Sequence, residues 1–160
     1  MKLFDKNNIY ISDAKTKDDL FKELFYKLKK DDLVTDDFLE MVKTREKSYP
    51  TGMDMSLVDP NISNIAIPHT EPSAVKMTRI IPVKLNNNIS FNNMIDPSQV
   101  LEVKFIFMIL NDESGNQTNI LSDIMDFVTQ TPDINNLFNI DSVDEIYKFI
   151  EENFRESVND

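Results

Sequence analysis

The chain holds a single histidine, His69, which closes the run Ile65-Ala66-Ile67-Pro68-His69. Imidazoles titrate near pH 6.5 in model peptides, so a solvent-reached ring is largely neutral at pH 7 and keeps one nitrogen free as a nucleophile. That nitrogen can take up a phosphoryl group and release it again. One histidine also excludes a His-His relay or a multi-His metal site within the chain. Pro68 fixes its own φ and biases Ile67 towards extended geometry, which makes the ring position rigid. The polar Thr70-Glu71-Pro72 that follows opens the ring to solvent. The plain alternative is a partly buried structural histidine, the commoner fate of such a residue.

Three other places bear on an anion. Arg45 would offer forked donors to phosphate oxygens from a helix end, although Arg45-Glu46 also reads as an ordinary surface pair. Gln117-Thr118 falls at the expected start of a helix after an apolar strand. Helix N–H donors and the Gln117 amide could meet a phosphoryl group there; a helix-start amide in water is the alternative. Gly52, one of two glycines, reads as a loop position with φ > 0. No GxGxxG or GxxxxGK[ST] is present, which excludes a nucleotide site of those kinds. Ser56, Ser63 and Thr70 share only His69 as a base, and no motif supports a Ser-His-Asp triad. Carboxylate pairs such as Asp18-Asp19, Asp36-Asp37 and Glu151-Glu152 read as caps and solvated faces. A site of one histidine and several acids has no metal-ligand spacing. Neither a metal nor a cofactor is expected.

The elements that must position these residues follow from pattern. A short strand at 9–11 leads to Thr16, which caps a helix striped by Leu20, Phe21, Leu24, Phe25 and Leu28. A second helix starts at Thr35 and runs towards Arg45-Glu46. Residues 47–64 read as loop, followed by strands at 65–67, 77–85 and 100–110. Pro82 places an edge or a bulge in the middle strand. The Asn-rich stretch 86–93 reads as a turn and a short extra strand. Val103–Leu110, Lys104 aside, is apolar enough for a central strand covered on both faces. Helices follow at 117–129, after Pro132-Asp133-Ile134, and behind the capping box Ser142-Val143-Asp144-Glu145. The order β-αα-β-β-β-α-α-α predicts an α/β (α+β) fold: a three-layer α/β/α sandwich with a mixed sheet.

Composition bounds the rest. A chain of 160 residues, 41% hydrophobic and with eleven Phe, suits one domain over 1–160. It has no cysteine, hence no disulfide, thiolate nucleophile or thiolate zinc site, which fits a cytoplasmic protein. No stretch behind Met1 reads as a signal peptide, and none approaches the roughly 20 apolar residues of a membrane span. The net charge of −11 sits almost wholly in residues 111–160, where Lys148 and Arg155 face twelve acids. With no basic face to displace counterions, nucleic acid is not an expected partner.

Arg45-Glu46-Lys47-Ser48-Tyr49-Pro50-Thr51-Gly52, followed by Ile65-Ala66-Ile67-Pro68-His69, resembles the enzyme IIA component of the bacterial phosphoenolpyruvate:sugar phosphotransferase system, in its fructose/mannitol superfamily. Tyr-Pro-Thr-Gly and His69-Thr70-Glu71 are most similar to its galactitol-type members. The resemblance implies a phosphohistidine carrier. The phosphocarrier HPr would load His69, and the group would pass to a cysteine of a IIB component and so to sugar entering through the IIC permease. Arg45 matches the arginine of the family's R-E motif and would neutralise phosphate charge. On the residues alone, phosphate would bond to one ring nitrogen, Nε2, while the other donates to a backbone or side-chain acceptor. Two positions depart from the family. Fructose- and mannitol-type members usually carry a second histidine where this chain has Gln117-Thr118, and an amide can donate a hydrogen bond but cannot change charge. The glycine common before I-A-I-P-H is Asn64, a residue that tolerates left-handed geometry. Competing expectations are a regulatory module of the same fold, whose phosphorylation state controls a partner, and a metal-dependent hydrolase built on His69 and acids.

Overall fold

Apolar side chains at 101, 103, 105–108 and 110 are almost wholly buried, and the strand that carries them is the middle of the sheet. A computed structural model of the protein describes residues 3–113 and 119–157. Its strands are β1 (Tyr10–Ser12), β2 (Gly52–Met53), β3 (Asn64–Ala66), β4 (Arg79–Asn92) and β5 (Val100–Leu110). Its helices are α1 (Lys17–Lys30), α2 (Phe38–Ser48), α3 (Ile120–Gln130), α4 (Asn135–Phe138) and α5 (Val143–Asn153). The sheet order is β1-β4-β5-β3-β2. β1 with β4 and β3 with β5 run parallel, while β4 with β5 and β2 with β3 run antiparallel, so the sheet is mixed.

Two apolar clusters clothe this sheet. One joins α1 and α2 to Ile106, Met108 and Leu110, and the other joins α3, α4 and α5 to Phe105 and Phe107. Side chains alternate faces along a strand, so helices cover the sheet from both sides. Leu101 and Val103 share the first cluster although Phe105 belongs to the second. The pairing with β3 steps from Asn64↔Val103 to Ile65↔Phe105, so Lys104 is the extra residue of a bulge that reverses the inward parity.

The helix ends behave as their residues require. Thr16 accepts a hydrogen bond from the Asp19 N–H at the start of α1, and Ser142 accepts one from the Glu145 N–H at the start of α5.

The structure corrects several expectations. Residues 47–64 are not all loop, because Gly52–Met53 pairs antiparallel with Ile65–Ala66 and forms an edge strand. The stretch 86–92 is no separate strand; it continues β4 past an irregularity between Lys84 and Ile89. Pro82 lies neither on an edge nor at that irregularity. The N–H of Ile80, two residues earlier, bonds the Leu3 carbonyl, so Pro82 aims its missing donor to that same side, one residue before pairing with β1 begins at Val83. α2 begins at Phe38 rather than Thr35, after a turn in which the Phe38 N–H bonds the Thr35 carbonyl. α3 is described from Ile120, and positions 117–118 of the expected helix lie outside the described residues.

Candidate functional site

His69 stands just past β3, with its backbone still bridged to Ile109 of β5 and the Ile109 N–H bonded to the Pro68 carbonyl at 3.0 Å. β3 and β5 are parallel, so the ring sits outside their carboxyl ends, where open α/β sheets place ligands. The ring Nδ1 lies 2.9 Å from the Ile67 carbonyl oxygen. A carbonyl only accepts, so Nδ1 carries the proton and the neutral ring presents the lone pair of Nε2. The half-buried ring lines a cleft of about 670 Å³ together with Arg45, Glu71, Asn111, Ile109 and Leu121.

Arg45 projects from the last turn of α2, where a cation also complements the helix dipole. Its Nη1 donates to Glu71 Oε1 at 2.6 Å, and its guanidinium carbon lies 5.3 Å from the centre of the Tyr49 ring. The two residues of the R-E pair do different work. Glu46 is buried and its carboxylate accepts the Thr51 N–H and the Thr51 hydroxyl, both at 2.7 Å. Burial pushes its carboxyl pKa up, and the Thr51 bonds partly oppose that shift.

These contacts form one chain of bonds from helix to ring. Glu46 holds Thr51, the Thr51 carbonyl accepts the Ile67 N–H at 3.2 Å, and the Ile67 carbonyl accepts Nδ1 of His69. Glu46, Thr51 and Glu71 also build the site; the sequence shows them in the R-E, Tyr-Pro-Thr-Gly and His-Thr-Glu runs without a role, and Glu46 is buried rather than half of a surface pair. A signal for the first was present. Phe38, Val42 and Glu46 recur every four residues and share the buried face of α2.

Gly52 was expected at φ > 0, but no glycine among the described residues has a positive φ. It is required for another reason. A Cβ there would lie 2.6 Å from the Asn92 carbonyl oxygen, so only glycine lets the segment after Thr51 run against β4. Asn64 is likewise not left-handed; it sits in β3 and its side-chain oxygen accepts the Met55 N–H at 3.0 Å. Gln117 and Thr118 lie outside the described residues. Of the three expected site residues, the fold therefore brings His69 and Arg45 to one cleft.

Residues 2–153 match the family model described as "Phosphoenolpyruvate-dependent sugar phosphotransferase system, EIIA 2". The chain belongs to that family. No curated protein gives a significant sequence match. Among solved structures, the chain is similar to the enzyme IIAMTL of Escherichia coli seen in complex with phosphorylated enzyme IIBMTL. The TM-score is 0.73 at 18% identity, over 95% of this chain and 99% of that one. It is similar to crystalline IIA mannitol from Escherichia coli, with a TM-score of 0.69 at 20% identity over 92% and 98% of the two chains. It is also similar to nitrogen regulatory protein IIA-Ntr from Neisseria meningitidis, with a TM-score of 0.66 at 18% identity over 92% and 96%. As an EIIA protein, this chain is a phosphotransferase-system component with a phosphoryl carrier role. No helix among the described residues is long and apolar enough to cross a membrane. The described residues contain no group of three His, Cys, Asp or Glu side chains that could hold a metal ion.

Proposed function

We propose that His69 is the phosphoryl acceptor and donor of this carrier, loaded at Nε2 by phospho-HPr and unloaded onto the cysteine of a IIB component. The observation that carries this reading is the bond from Nδ1 to the Ile67 carbonyl, which leaves Nε2 unprotonated in a cleft shared with Arg45. In the loading step the Nε2 lone pair forms the new N–P bond, and the electron pair of the donor's N–P bond returns to the donor ring. No proton has to cross between the proteins, and the Nδ1 proton stays against its carbonyl. Phosphoryl transfer of this kind asks the protein for in-line positioning and charge stabilisation rather than further covalent chemistry. Arg45 supplies the positive charge, and Gln117 would add a hydrogen bond to the phosphoryl oxygens.

The similar Escherichia coli enzyme IIAMTL is seen in complex with phosphorylated enzyme IIBMTL, which supports a IIB partner here, and through it a IIC permease. The Tyr49-Pro50-Thr51-Gly52 and His69-Thr70-Glu71 segments favour a galactitol-like sugar or polyol as the cargo. Both proposed partner steps belong in the cytoplasm.

Incubation with radiolabelled phospho-HPr tests the assignment. The wild-type chain should acquire acid-labile, base-stable phosphate, and His69→Ala should acquire none. Arg45→Ala should be labelled about ten- to a hundredfold more slowly, the loss of charge-assisted bonds worth roughly 1.5–3 kcal/mol. Full labelling of His69→Ala would overturn the proposal.

A further inference from the structure

The guanidinium meant for the phosphoryl group is already engaged. Glu71 stands two residues after His69, lines the same cleft, and accepts from Arg45 Nη1 through Oε1 alone. The pair is a single contact and not the two-bond fork that a guanidinium can make with an oxyanion. Arg45 Nε is buried and has no hydrogen-bond partner. Glu71 is mostly exposed, with its side chain at 60%, so it can turn into water at little cost, whereas Arg45 is held by α2 and the Tyr49 ring.

Charge decides what happens on loading. The resting cleft holds one positive guanidinium, one carboxylate and a neutral imidazole. A phosphoryl group brings between one and two negative charges, which repel the Glu71 carboxylate and offer Arg45 several acceptor oxygens. We infer that Glu71 is a positioning residue that competes with the phosphoryl group on His69 for Arg45. It parks the guanidinium at the cleft mouth in the empty carrier, and by drawing it back it weakens the hold on the loaded group and favours onward transfer. This deepens the function proposed above and rests on it.

The competition has a measurable signature. With phospho-HPr and the chain at equilibrium, Glu71→Gln should shift the distribution towards the phosphorylated chain by about three- to fivefold, the upper range of an exposed ion pair. Spontaneous loss of phosphate from Glu71→Gln should slow by a similar factor, and Glu71→Asp should return both values towards wild type. The same substitution in an Arg45→Gln background should have a much smaller effect on both, because only direct carboxylate–phosphoryl repulsion is left. A shift of undiminished size without Arg45 would show that repulsion alone carries the effect and overturn the shared-guanidinium mechanism. A wild-type chain that is labelled on His69, with a Glu71→Gln distribution equal to it, would overturn this inference alone. Failure of the wild type to be labelled would overturn it together with the assignment of His69.

Discussion

A single backbone carbonyl decides which nitrogen of His69 is open to the cleft. By accepting a hydrogen bond from Nδ1–H, the Ile67 carbonyl fixes the tautomer of His69 and leaves Nε2 as the nucleophile of the proposed transfer. Ile67 is in turn held by Thr51, and Thr51 by the buried Glu46. A carboxylate placed among apolar residues is costly unless its lone pairs are occupied, and Thr51 occupies one on each oxygen. Because burial raises the Glu46 pKa in the folded protein, folding takes up protons in the window just above the ordinary glutamate value. Stability from this group is therefore full at acid pH and declines as pH rises through its folded pKa. Melting temperatures of wild type and Glu46→Gln, measured from about pH 4 to about pH 7, should show the wild type's advantage shrinking as pH rises. A difference independent of pH would mean that Glu46 does not titrate in a buried setting.

Among the elements, the short edge strand β2 matters most to the site. It ties the end of α2 to β3, and its Gly52 lies against the backbone of Asn92 in β4. The contact is with backbone, which cannot swing aside as a flexible side chain would. Gly52→Ala should therefore lower stability by about 1–3 kcal/mol, the usual cost of overpacking, seen as a lower urea midpoint. Phosphoryl acceptance should slow as well, because Thr51 is next in the chain. β2 was invisible in the sequence, since two residues show no alternation and its pairing partners come from 65–66. The long helices were legible for the opposite reason. Leu20, Phe21, Leu24 and Leu28 on α1 repeat one face over several turns, and the Thr16 and Ser142 caps mark where backbone donors need acceptors.

At the scale of the whole molecule, β5 contributes side chains to both apolar clusters and so joins the two layers of helices. Phe105 lies with its ring centre 4.9 Å from Phe107 and 5.2 Å from Phe138 of α4, and it is fully buried. Phe105→Ala should cost about 3–5 kcal/mol, read by chemical denaturation, because the surrounding rings cannot collapse into the space. Sequence by itself determined the helices, the central strand, the family signature and the one imidazole, because each is written in local periodicity or in a contiguous run of residue types. It also carried the reading of His69 and Arg45 as partners through that signature. Only tertiary structure decided that Arg45 reaches Glu71, and that Gly52 answers a close backbone approach rather than a left-handed turn. Those outcomes depend on atoms from segments far apart in the chain, and no local pattern encodes a meeting between them.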